Sequence, residues 1–190
     1  AHIDVSVKSS EQQQPWRFTG FYGEPRVENR YHSWEFLSTL HGIPHSGWLC
    51  MGDFNETMYA DEHFSVHERP AWQMQAFREV IDACSFQDVG WRGVPFTWDN
   101  KRDGQDNIQV RLDRATCNDG FLSMFPETSV EHLLCEESDH QALLVRITET
   151  APCRAGSGDR PFRFEEAWTR HEQYEAMTVE AWDAASTGEE

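Results

Sequence analysis

Lysine is almost missing from this chain: Lys8 and Lys101 are the only two in 190 residues, and Lys plus Arg number 16 against 33 Asp plus Glu. The formal charge of -17 argues against a protein that coats nucleic acid nonspecifically, because such binding is driven by basic side chains on phosphate. Local phosphate binding stays open, since several arginines gather between Arg92 and Arg114, where the guanidinium fork could clamp an anion; a solvated loop of mixed charge reads equally well. No run of about 18 apolar residues occurs, as a spanning helix would need. The opening AHIDVSVKSSEQQQ has neither the charged-then-apolar layout of a signal peptide nor an initial Met, and reads as the middle of a longer chain. The five cysteines, Cys50, Cys84, Cys117, Cys135 and Cys153, are odd in number and lack CxxC spacing. That argues against a disulfide framework and a zinc knuckle, and suits a reducing compartment.

What is present is apolar bulk: 38% hydrophobic residues with 8 Trp and 12 Phe, enough to build the core of one domain. WRFTGFYG (16–23) alternates as a strand does and breaks at Gly-Glu-Pro. ENRYHSWEFLSTLHG then sets Tyr31, Trp34, Leu37 and Leu40 on one helical face, with Gly42 at its end. Strand, helix and strand in this order imply a layered sheet with helices packed on it. ETMYADEHFSVHERP reads as a loop in which His63 and His67, four apart, have metal-ligand spacing but no third ligand nearby. Trp72 to Cys84 predicts a helix buried through Met74, Phe77, Val80 and Ile81. PFTWDN and NIQVRLDRAT read as strands around the loop KRDGQD, GFLSMFP as a helical turn, and TSVEHLL and QALLVRI as two more strands. Residues 151–161 have linker composition, and 162–190 carry Phe164, Trp168, Tyr174 and Trp182 at near-helical spacing, a segment in need of a partner surface.

The stretch WLCMGDFNET (48–57) passes from apolar residues into an acid and an amide. Trp48, Leu49 and Met51 suit a buried strand, and Gly52 removes a side chain where something must come close. If the chain stays extended, Asp53 and Asn55 point the same way, a carboxylate beside an amide that could hold a cation and orient a phosphate. The same spacing suits a plain Asp/Asn turn. Three further runs match it in kind: Tyr22 in FYGEP, Asp113 in RLDRA, and Asp139-His140 in ESDHQALLV. Singly, His140 reads as a structural histidine and Tyr22 as a core aromatic with its hydroxyl at the surface. Together they are tools for phosphodiester hydrolysis.

In this order the runs resemble the endonuclease/exonuclease/phosphatase superfamily, of which GDFN and SDH are signature motifs. WRFTGFYGEPR, WLCMGDFNE, WQMQAFREVIDAC, GVPFTWDNKRDGQDNIQVRLDRA and ESDHQALLV resemble most the endonuclease domain of plant LINE-type retrotransposon polyproteins. The likeness runs from Trp16 to Ile147, and RPFRFEEAW is similar to the segment before the reverse transcriptase. It implies an α+β fold, part of a DNase I-like four-layer α/β-sandwich with one sheet and its flanking helices incomplete. Residues 1–15 would be a truncated remnant, 16–150 the endonuclease domain's C-terminal portion, and 162–190 a helical segment leading to a reverse transcriptase. It also implies an intracellular, nuclear endonuclease that nicks DNA with Mg²⁺ or Mn²⁺ and has the reverse transcriptase as its partner domain. Asp53 would hold or activate water and Asn55 orient it, Tyr22 contact the phosphate, His140 act on phosphate or water, and Asp113 orient His140. Asp139, with Asp53, would face the metal, which hard oxygen donors suit. The family's upstream Asn strand and metal-binding Glu have no equivalent before Trp16; this leaves one sheet face uncovered, makes Glu56 the first substitute ligand to consider, and keeps a noncatalytic remnant and a small-molecule phosphoesterase in contention.

Overall fold

A computed structural model describes residues 1–8 and 14–148; the expected linker and tail helix lie outside them. Along the chain, β1 (His2–Val7) and β2 (Trp16–Tyr22) precede α1 (Arg30–His41) and β3 (Trp48–Asp53). The short β4 (His63–Phe64) leads to α2 (Ala71–Ala83), followed by β5 (Gln87–Asp88), β6 (Arg92–Gly93) and β7 (Trp98–Asp99). Then come β8 (Gln109–Val110), β9 (Asp113–Cys117), α3 (Asp119–Met124), β10 (Ser129–Leu133) and β11 (Ala142–Arg146).

The central sheet has the order β1-β2-β3-β9-β5. Its β2 and β3 are parallel, which requires a crossover, and α1 supplies it. Strand alternation sorts the side chains to two faces. Phe21, Trp48 and Cys50 meet Trp34, Leu37, Leu40, Phe77 and Ile81 of α1 and α2 in one core. Trp34 and Phe77 stack there with centroids 4.8 Å apart, and truncating Phe77 to Ala would cost about 3–5 kcal/mol. On the opposite face Trp16, Leu49, Ala115 and Cys117 meet Phe121 and Phe125 around α3 and Val130 of β10. The β11-β10-β6 sheet thus forms another layer, and β4-β8-β7 a small third sheet. This face, expected to be bare, is covered near Leu49 and Ala115 and open over β1, where Ile3 and Val5 are exposed.

Helix α1 buries Arg30 and Ser33 with Trp34, Leu37 and Leu40, while Tyr31 is exposed. The expected apolar face therefore included one residue that faces water. Arg30 takes the buried place instead, held by its ion pair with Glu56. Strand β1, which the sequence did not announce, is fixed by charge: Asp4 takes paired hydrogen bonds from Arg17 at 2.8 Å each and one from the Thr19 hydroxyl at 2.6 Å. No helix among the described residues is long and apolar enough to cross a membrane. Cys50, Cys84 and Cys135 are free thiols.

Candidate active site

Three neighbouring strands end together at one edge of the central sheet. Tyr22 of β2 lies in register with Asp53 of β3, and Asp53 with Asp113 of β9, so a phenol and two carboxylates form a row on one face. The close approach of β2 and β3 depends on Gly52, which has φ of +141° and where a Cβ would stand 2.0 Å from the Phe21 carbonyl oxygen. Gly23 has a similar task just past the end of β2, since a Cβ there would lie 2.4 Å from the Phe54 carbonyl oxygen.

The chain does not stay extended past Asp53. Asn55 adopts the left-handed region at φ 57°, which asparagine tolerates better than most residues. The turn folds it back onto the acid. Its backbone N–H donates to Asp53 Oδ1 at 2.7 Å and its side-chain Nδ2 to Oδ2 at 2.9 Å, with a further bond to the Gly23 carbonyl at 3.1 Å. The Asp/Asn turn and the carboxylate-amide pair are thus one structure.

His140 reaches the row from the loop before β11. Its Nδ1 is 2.9 Å from Asp113 Oδ2. A template between the two chain segments sets this distance. Thr97 is fully buried, its hydroxyl accepts from the Leu112 and Asp113 N–H groups at 2.9 Å each, and its carbonyl accepts from Gln141 N–H at 2.7 Å. Trp98, bridged to His140, donates its indole N–H to Asp139 Oδ2 at 3.0 Å. Sequence reasoning read PFTWDN only as a strand, because nothing local reveals that a threonine hydroxyl will serve two distant amides.

Electrostatics separate these groups. Burial, then the Asp113 charge, raises the Asp53 pKa to about 6, against the pull of the Asn55 hydrogen bonds and of His140. The hydrogen bond to Asp113 raises that of His140 despite its partial burial. Asp139 is held low chiefly by the Trp98 hydrogen bond. A carboxylate reluctant to ionise thus faces an imidazole that favours its cation, the separation expected of an acid/base pair. Among the described residues no three His, Cys, Asp or Glu side chains form a group that could hold a metal ion. Asp53 and Asp139 are hard oxygen donors, and Mg²⁺ commonly takes one or two carboxylates with waters and phosphate completing its shell.

Several expected partners are committed elsewhere. Glu56 is 1% exposed and ion-paired to Arg30 and Arg69 at 2.5 and 2.6 Å, so it is not a spare metal ligand. Arg111 and Arg114 are buried against Glu62 and Asp88 and cannot clamp an external phosphate; Arg92 and Arg102 are exposed. His63 lies in β4 with its pKa lowered by burial, and His67 is exposed.

By sequence the chain matches no protein-family model and no curated relative. By structure it superposes on the endonuclease domain of TRAS1, a telomere-specific non-LTR retrotransposon, with a TM-score of 0.55 and 18% identity over 77% of this chain and 63% of that one. The chain has the endonuclease/exonuclease/phosphatase fold. A 3'-5' exonuclease from Neisseria meningitidis matches at 0.54 and 17% over 70% of this chain and 61% of its own. A family protein from Leptotrichia buccalis matches at 0.54 and 17%, over 77% and 53%. The chain thus spans less than two thirds of each of these structures.

Proposed function

We propose that this chain belongs to the DNA-nicking endonuclease of a LINE-type retrotransposon, acting in the nucleus ahead of a reverse transcriptase and hydrolysing phosphodiesters with Mg²⁺. The observation that carries the reading is the junction of the Asp53-Asn55 turn with the Asp113-His140 pair beside Tyr22. The retrotransposon endonuclease of the same fold supports it, as does a Neisseria 3' phosphatase solved with a product DNA hairpin.

Asp53, ionised above about pH 6, accepts a hydrogen bond from the attacking water and helps remove its proton. Asn55 keeps that carboxylate in place. Asp113 occupies His140 Nδ1, leaving Nε2 to meet a phosphate oxygen as charge develops there. The hydroxyl of Tyr22, a half-exposed residue, is a second phosphate contact. Asp53 and Asp139 would hold Mg²⁺, whose contribution when bound is to offset phosphate charge.

Supercoiled plasmid incubated with the chain and Mg²⁺ should relax by single-strand nicking, and His140→Ala should slow it by about 10³-fold. Hydrolysis of small phosphomonoesters without nicking would favour the phosphoesterase reading, and inactivity on both the noncatalytic one.

A further inference from the structure

Glu56 carries no chemistry at the site, yet its carboxylate is among the most buried of the described residues and holds two arginines from separate segments. Arg30, on α1, pairs with Glu56 Oε2 at 2.5 Å and also donates to the Pro25 carbonyl at 3.0 Å and the Glu24 carbonyl at 3.4 Å. Arg69, before α2, pairs with Oε1 at 2.6 Å and reaches the Asn55 carbonyl at 3.5 Å. The Thr57 N–H donates to the same oxygen, Oε1, at 2.9 Å. One carboxylate therefore joins the loop that leaves Tyr22, the turn that leaves Asp53, and the segment entering α2.

The loops it joins bear the front of the site. Gly23 N–H donates to the Asp53 carbonyl at 2.7 Å, and Asn55 donates to the Gly23 carbonyl at 3.1 Å, so Tyr22 and the Asp53-Asn55 turn keep their spacing only while both loops stay in place. Asn55 sits in the left-handed region, at φ 57°, a conformation that persists when its surroundings over-determine it. We infer that Glu56, with Arg30 and Arg69, is a positioning residue that clamps the Gly23–Pro25 loop to the Asn55–Thr57 turn and so fixes Asn55 and Tyr22 for the phosphate. This deepens the phosphodiesterase reading and rests on it for the catalytic consequence, while the clamp itself can be tested without turnover.

In the full chain, Glu56→Gln keeps the shape and removes the charge. Amide hydrogen exchange should then quicken roughly tenfold or more at Gly23 and Asn55 and stay unchanged at Leu112 and Asp113, which Thr97 holds. Nicking should lose roughly 10- to 100-fold in kcat with KM nearly constant, since a displacement near 1 Å can cost about 10²-fold. If Glu56→Gln folds poorly, the triple variant Arg30→Met, Glu56→Leu, Arg69→Met replaces the buried ions with apolar groups, a change that often preserves stability. It should fold, yet keep the fast exchange and the low kcat. Unchanged exchange at Gly23 and Asn55 in a folded variant overturns the inference, as does full kcat. If the unaltered chain nicks nothing while exchange responds as described, the clamp stands and the phosphodiesterase reading falls.

Discussion

Asp113 and Arg114 are neighbours on β9, and the strand sends them into opposite environments. Arg114 is fully buried and meets Glu62 at 2.8 Å and Asp88 at 2.9 Å, with Arg111 adding 2.7 and 2.9 Å contacts to the same acids. There two arginines answer two carboxylates, and both acids have lowered pKa values despite burial, through Arg114 first for Glu62 and Arg111 first for Asp88. Asp113 instead shares its face with Asp53, and the basic group it bonds there is a single imidazole, that of His140. Burial and Asp113 push Asp53 up to about 6. One face of the strand closes its charges; the other leaves negative charge unsatisfied, as a site awaiting a cation or a proton would.

The largest effect should come from opening the closed face. Arg114→Ala leaves Glu62 and Asp88 short of a partner in the interior and should cost about 3–5 kcal/mol, measured by urea unfolding. On the other face His140→Ala should leave unfolding nearly unchanged while lowering the nicking rate by about 10³-fold. A loss of stability matching that of Arg114→Ala would erase the distinction.

Asp88→Asn sharpens the comparison through pH. The folded pKa of Asp88 is depressed, so its contribution is fully present above the unfolded value of about 3.9 and is lost as pH falls through the folded one. The variant should be less stable than the unaltered chain at pH 7, and the gap should close as pH drops below about 4. A gap that widens in acid would contradict the pairing. The smallest effect is expected at Trp98→Phe, which removes the indole donor to Asp139 and should slow nicking by roughly tenfold or less, about what one solvent-exposed hydrogen bond contributes. No change in the rate would mean that Asp139 needs no orientation.

The open face was more legible in the sequence than the closed one, for a physical reason. Strand-end acids, the amide after one of them and a histidine next to an acid occupy short runs, GDFN, RLDR and SDH, whose side-chain chemistry is visible residue by residue, although the Asp113-His140 bond itself joins positions 27 apart. The closed face joins Glu62 and Arg114, 52 positions apart, and Asp88 and Arg114, 26 apart; no local period encodes such a pairing. The long strands β2 and β3 and helices α1 and α2 showed themselves through alternation and helical spacing. Strands of two residues, such as β4, β5 and β6, are too short to have a period. Tyr31 continues the apolar spacing of Trp34 and so reads as core, whereas the fold gives the buried place to Arg30 and its bond to Glu56.

The account turns on Asp53 being the uncompensated acid, and its pKa can be measured directly. Carboxyl carbon shifts of ¹³C-labelled Asp and Glu, followed by NMR from pH 3 to 9 in chelator, should show Asp53 titrating at about 6, well above the ordinary aspartate value of about 3.9. Glu62 and Asp88 should titrate below their ordinary ranges in the same sample, and Asp113→Asn should bring Asp53 down. An Asp53 that titrates near or below 4, or a Glu62 or Asp88 that titrates above its own ordinary value, would contradict the assignment of one face of β9 to stability and the other to chemistry.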